Sequence, residues 1–358
     1  MNIKEIKAKI KKTVIADIYY ALRNLKDICR VKLYFTPIHL YYDTKRSFLK
    51  NYTSQINKTR IGGGGGYNVI HSKKIIYVAD DIQYAGGLAD RFRAMVSLFS
   101  ISKKLNVDYK IYMTSPVNLT DYLLPNQYNW IISDDEIIYD VKESVKCYFS
   151  WRDFKNNDTG KHLALVTIQS LLKRWNQLHI TSNMVIADEE YGKLFNELFM
   201  PADELKNNIE KVLSEIGRDF ISVSFRFQQL LGDFIDPGFP VLPVEKQVGL
   251  INRCIEHLYE IYKENNCARI LVTSDSITFL NKAKEFDFVY VIPGEIAHIA
   301  YEPGLGKEVY MKIFLDYFML TRSKCLYQVV DDKMYVGGFA RRAALHNNHP
   351  YIVRRYGL

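Results

Sequence analysis

Apolar and small polar residues alternate through Ile221-Ser-Val-Ser-Phe225, and the run ends by presenting Arg226. A period of two predicts a β-strand. Similar short runs predict strands over Lys74 to Asp80, Arg269 to Val272, Phe288 to Ile292, Cys325 to Val329 and Tyr351 to Arg354. Between them the period lengthens. Tyr310, Ile313, Phe314, Tyr317, Phe318 and Leu320 recur at helical spacing, which predicts a helix from about Lys307 to Ser323. Ala85-Gly86-Gly87 opens an apolar helix through Ile101, Asp203 stands as the N-cap of another, and Ser276 to Phe286 forms a third. Strands alternating with helices predict an α/β protein with parallel sheets. They fall into an N-terminal α/β half over residues 31–198 and a C-terminal half over residues 199–358, preceded by a basic helix over residues 1–30.

The chemistry collects at strand ends. Arg226 closes one strand, and Thr273-Ser274-Asp275 closes the next. The carboxyl ends of strands are where open α/β sheets bind ligands. A guanidinium there grips a diphosphate by paired hydrogen bonds and stabilises it as a leaving group without a metal; the bland alternative is a surface ion pair. Farther on, Gly337-Gly338-Phe339-Ala340-Arg341-Arg342 places glycines at a helix start, where backbone N–H groups receive phosphate.

Together these residues resemble the GT-B fucosyltransferase superfamily, which includes the α-1,2-, α-1,6- and protein O-fucosyltransferases. Its members show a strand ending His-x-Arg-x-(Gly)-Asp, a strand ending near Thr-Asp, an Asp-x-x-x-Leu-Ser-Arg segment and a Ser-Ser-x-x-x-Arg-x-Ala helix start. The counterparts are Arg226; Thr273 with Asp275; Asp316 with Leu320 and Arg322; and Gly338 with Arg341 or Arg342 and Ala343. Upstream, Gly86-Gly87-Leu-Ala-Asp90-Arg91 is similar to the family's Gly-Gly-Leu-Gly-(Asn/Asp)-(Arg/Gln) turn, and Leu198-Phe199-Met-Pro201 to its Leu-Phe-x-Pro segment. Ser224 replaces the usual histidine, four residues separate Phe227 from Gly232, and glycines replace the phosphate-contacting serines.

The resemblance implies two Rossmann-like α/β domains facing a central cleft. It implies an inverting, metal-independent glycosyltransferase that moves fucose from GDP-fucose to a glycan acceptor, lipid-linked acceptors included, in polysaccharide or glycoconjugate assembly. No cofactor is expected. Arg226 is the expected catalytic residue. It shares the nucleotide-sugar site with Thr273, Asp275, Gly338, Phe339, Ala340, Arg341 and Arg342, while Gly86, Gly87, Asp90 and Arg91 line the acceptor side. The base is open among Asp90, Asp233 and His298. Two alternatives stand beside this reading: a noncatalytic sugar-binding or stabilising subunit of a glycan-assembly complex, and a transferase using another nucleotide sugar.

Composition fits without deciding. At 358 residues, 48% hydrophobic and 25% charged, the chain is long enough for two domains with substantial cores. Five scattered cysteines, with no metal-binding spacing, indicate a reducing compartment. No apolar run reaches the roughly 18 residues of a membrane span, so the expected location is the cytoplasm. Part of the +8 charge lies in the first helix, where Lys4, Lys7, Lys9, Lys11 and Lys12 flank a stripe of Ile3, Ile6, Ile10, Val14 and Ile18. Such a helix either touches an anionic membrane at its inner face or packs on its own domain. No nucleic-acid motif accompanies the basic residues. The glycines at 62–66 lack the Gly-Lys-Ser/Thr of a phosphate loop. The pairs Asp80-Asp81, Asp134-Asp135 and Asp331-Asp332 read as turn or cap residues rather than metal ligands, and His346 and His349 as structural residues of a turn.

Overall fold

The structure is a computed structural model that describes residues 72–80, 85–235, 239–265, 269–299 and 304–357. The basic helix expected over residues 1–30 and the glycine run at 62–66 lie outside these residues.

Two parallel sheets organise the chain. The first is built from β1 (Lys74–Ala79), β2 (Asp108–Met113), β4 (Ser144–Phe149) and β5 (Gln177–Ser182), in the order β2-β1-β5-β4. A short β3 (Leu123–Pro125) lies apart from it. The second sheet contains β7 (Ile221–Phe225), β8 (Ile270–Ser274), β9 (Val289–Tyr290), β10 (Leu326–Asp331) and β11 (Tyr351–Tyr356), in the order β11-β10-β7-β8-β9. Every residue of β7 is buried, on both faces of the strand, which is why its alternation of apolar residues with serine still suits the core. The connections are helical: α1 (Leu88–Leu105), α2 (Asp158–Arg174), α3 (Tyr191–Leu198), α4 (Asp203–Ile216), α5 (Val244–Asn265), α6 (Ile277–Ala283), α7 (Lys307–Leu320) and α8 (Gly338–Asn347).

Both sheets reverse direction once. In the first, the chain moves outward from β1 to β2 and then returns to the other side of β1, so the reversal lies between β1 and β5. In the second it lies between β7 and β10. Doubly wound sheets bind ligands in the crevice outside the carboxyl ends of strands at such a reversal. Each half therefore offers one crevice.

The halves share a core beneath these crevices. Phe92 of α1 packs edge-on against Tyr317 of α7 with centroids 5.0 Å apart, and Tyr122 stacks on Phe314 at 4.4 Å. The Tyr191 and Tyr317 hydroxyls lie 3.0 Å apart in the buried interior. A helix apolar around most of its circumference, as α7 is, belongs between two layers. The segment at the expected boundary of 198 and 199 straddles the halves: β6 (Phe199–Pro201) pairs antiparallel with β3, while α4 packs against α7. At the start of α4 the N-cap is Ala202, not Asp203, which occupies the first helical turn and favours the helix dipole instead.

Candidate functional site

The two crevices open into one cavity of about 600 Å³. From the first sheet come Gly87, after β1, and Asn183, after β5; from the second come Arg226, after β7, and Gly337 and Gly338, after β10. The lining thus joins both reversal points.

Arg226 is held on two sides. Its Nη1 lies 2.8 Å from Asp275 Oδ2, and its guanidinium sits 4.8 Å from the centroid of the Phe234 ring. Asp275 is itself fixed, because its two oxygens accept from the backbone N–H groups of Phe227 and Gln228 at 2.8 and 2.7 Å. Burial raises the Asp275 carboxyl pKa, while Arg226 and the two amides oppose that rise. The tight turn that delivers those amides puts Gln228 at φ +58°, a left-handed conformation rare for a residue with a side chain. Arg226 and Asp275, expected in one site, are thus in direct contact, and Thr273 joins them in the lining. The Thr273 hydroxyl is buried without a hydrogen-bond partner among the described residues. A buried polar group in that state is stabilised by a ligand that supplies one.

Beside Arg226, where a Cβ at Gly337 would lie 3.5 Å from its Cγ, α8 begins. Its N-cap, Gly337, supplies no capping side chain, and its first turn carries no acidic residue. Gly338, Phe339 and Ala340 line the cavity, so the first N–H groups of the helix start there. Arg341 and Arg342 do not join them. Both turn to Asp188, Arg341 at 2.9 Å and Arg342 by a closer contact, with Arg342 also lying over the Tyr191 ring. The expected phosphate role of this pair is corrected by Asp188, a carboxylate in the N-terminal half that binds both guanidiniums. They fasten the helix rather than face the cavity.

In the turn after β1, Gly86 adopts φ +83°, and a Cβ there would lie 2.7 Å from Asp90 Cβ. Both facts demand glycine. Gly87 and Asp90 line the cavity, but Asp90 Oδ2 accepts from the Gly87 N–H at 3.2 Å and Oδ1 lies 2.8 Å from Arg93 Nη2. Arg91 is turned inward and buried, donating to the carbonyls of Gly86 and Ser115 at 3.0 and 2.9 Å. It shapes the turn without lining the cavity.

Asp233 is also displaced from its expected role. Its Oδ2 accepts from Ser276 Oγ and Thr278 N, both at 2.8 Å, so it caps α6. His298 does reach the cavity, packed edge-to-face on Phe234. Burial, then Arg226 and Arg91, lower its pKa to about 4.

Sequence reasoning missed Lys312. Its Nζ lies 2.6 Å from Asp316 Oδ2, and both side chains line the cavity, nearly buried. A lysine four residues before an aspartate on an otherwise apolar helix is the signal that marks them. Arg93, Trp151 and Tyr335 complete the mouth without any such signal. The aspartate pairs lie elsewhere: Asp80 binds Lys146 at 2.8 Å, Asp331 binds Arg253 and His257, and Asp134 begins a short 3₁₀ turn. Among the described residues no group of three or more His, Cys, Asp or Glu side chains is placed to hold a metal, and no helix is long and apolar enough to cross a membrane.

No protein-family model matches the chain, and comparison with curated proteins finds no match. Solved structures do match. A mutant of FUT1 from Arabidopsis thaliana, in complex with GDP, aligns with a TM-score of 0.50 at 12% identity, covering 89% of this chain and 79% of its own. POFUT1 in complex with GDP-fucose aligns at 0.48 and 10% identity, over 82% of this chain and 100% of its own. NodZ α-1,6-fucosyltransferase soaked with GDP-fucose aligns at 0.46 and 13%, over 76% and 92%. The similarity to FUT1, together with two parallel sheets meeting at one cavity, gives this chain a GT-B fold.

Proposed function

We propose that this chain is a glycosyltransferase that binds a nucleoside diphosphate sugar, GDP-fucose in the first instance, and transfers the sugar with inversion to a glycan hydroxyl. One observation carries the reading. Arg226, the buried Thr273 hydroxyl and the open start of α8 converge on one wall of an interdomain cavity. A fixed guanidinium and a helix start supply positive potential where a diphosphate leaves, which is the task a metal performs in other transferases. The GDP and GDP-fucose complexes of the structural neighbours support the same donor class. Charge on the β-phosphate grows as the bond to the anomeric carbon lengthens. Groups already oriented toward it stabilise the transition state more than the bound donor.

The acceptor enters from the Gly87 and Trp151 side. The proposal places the protein in the cytoplasm, where a glycan under assembly, lipid-linked or free, is met at the inner face of the membrane.

Thermal unfolding of the full chain in EDTA, against a panel of nucleotides and nucleotide sugars, tests the donor. A ligand at 100 times its Kd stabilises the fold by about 2.7 kcal/mol. GDP and GDP-fucose are expected to raise the melting temperature without metal. A shift with a different nucleotide alone reassigns the donor; a shift that needs Mn²⁺ removes the metal-independent mechanism.

A further inference from the structure

We infer that His298 is the catalytic base, accepting the proton of the attacking hydroxyl as the sugar is transferred; this rests on the donor reading above. Its position carries the inference. The imidazole packs edge-to-face on Phe234 with centroids 5.6 Å apart, and the same ring holds the Arg226 guanidinium at 4.8 Å. On its other side, a Cβ added to Gly87 would lie 3.6 Å from Nε2. His298 therefore sits between the phosphate wall and the acceptor-side turn, where a hydroxyl must meet the anomeric carbon. A base is identified first by such reach.

Two carboxylates that share the cavity are tied to cations. Asp90 caps α1 and binds Arg93, and Asp316 is held by Lys312. Glu295 is exposed at the rim. Asp233, outside the cavity, caps α6.

The step balances. The hydroxyl oxygen forms the new bond to the anomeric carbon, its proton passes to the unprotonated ring nitrogen of His298, and the bond from carbon to the β-phosphate oxygen breaks with its electron pair. Arg226 from the end of β7 and the buried Arg91 of α1 act on the ring by their charge, and Asp90 and Arg93 of α1, Asp275 after β8, Glu295 and the Lys312–Asp316 pair of α7 share the cavity. Burial and the arginines hold His298 at about 4 in the unliganded protein, so it is neutral, the accepting form, at pH 7. A diphosphate beside Arg226 adds negative charge, which favours the imidazolium and raises the basicity of the ring when donor is bound.

The test uses the full chain, GDP-fucose as donor and water as acceptor, with GDP release measured against pH and GDP binding measured by thermal shift. Wild-type turnover is expected to fall on acidification as the ring takes up a proton. His298→Gln is expected to lower GDP release about 10²-fold and to abolish that acid limb, with the GDP shift retained. In His298→Ala, added imidazole is expected to restore part of the rate. Turnover by His298→Gln within threefold of wild type, with the acid limb intact, overturns the role. Loss of the GDP shift in the variants assigns the residue to donor binding and also overturns it. A wild-type protein that gives no GDP shift and releases no GDP fails at the donor reading instead.

Discussion

Arg226, Arg341 and Arg342 carry the same guanidinium into different tasks, and the difference lies in what each meets. Arg226 meets Asp275, its near neighbour on the next strand, at the cavity wall. Arg341 and Arg342 meet Asp188, more than 150 residues earlier in the chain. That Arg226 and Asp275 share one site was legible, because adjacent strands bring their ends together; the ion pair between them was not read. The pairing with Asp188 was not legible, since no local pattern announces a carboxylate from the other half. Arg226→Lys separates charge from geometry: lysine retains the positive charge opposite Asp275 but loses the planar fork that grips a phosphate bidentately. The melting temperature is expected to stay near wild type while turnover of GDP-fucose falls roughly 10²-fold, because the loss falls on the transition state. Turnover within a few-fold of wild type would remove Arg226 from the mechanism.

At the scale of elements, the strand ends and helix starts that form the site were the most legible features. An apolar run breaking into polar residues marks β7 and β8, and two glycines mark the start of α8. Less visible were β3 and β6, three residues each, too short for a period to show. The start of α8 makes its own prediction. A Cβ at Gly338 meets nothing within 4 Å, and the position is helical, so a side chain is tolerated there. In Gly338→Asp, an acidic residue in the first turn adds about 0.3–1 kcal/mol through the dipole. The same carboxylate repels a diphosphate. Stability is therefore expected to hold or rise while the Kd for GDP increases about tenfold or more. Titration calorimetry that finds GDP binding unchanged would take the helix start out of the phosphate site.

For the whole molecule, alternating strands and helices disclosed two α/β halves, but not that α7 and α8 would pack into the N-terminal half. Apolar residues around most of α7 were the one available sign, and a pattern that says "buried" does not say against what. That shared core holds His346. Expected in a turn, it lies on α8, its ring 4.3 Å from Phe195 across the two halves and its Nε2 2.8 Å from Asn196 Oδ1. Its Nδ1 is buried with no partner among the described residues. An imidazolium there would need an acceptor for a second N–H. Burial first, then Arg322 and His349, push its pKa down to about 3, against an ordinary 6.5.

The sign follows: below pH 6.5 the unfolded chain takes up a proton that the folded one refuses. Stability from this group is thus complete above 6.5 and lost as pH falls toward 3. Other buried groups titrate too, with Asp275 and Asp316 acting in the opposite sense, so a difference measurement isolates the residue. His346→Gln keeps an amide beside Asn196 and removes the titration. Between pH 7.5 and 5.5, wild type is expected to lose roughly 1 kcal/mol more unfolding free energy than the variant in urea. Parallel losses in the two proteins would mean that His346 accepts its proton in the folded state, and that the core joining the halves admits charge.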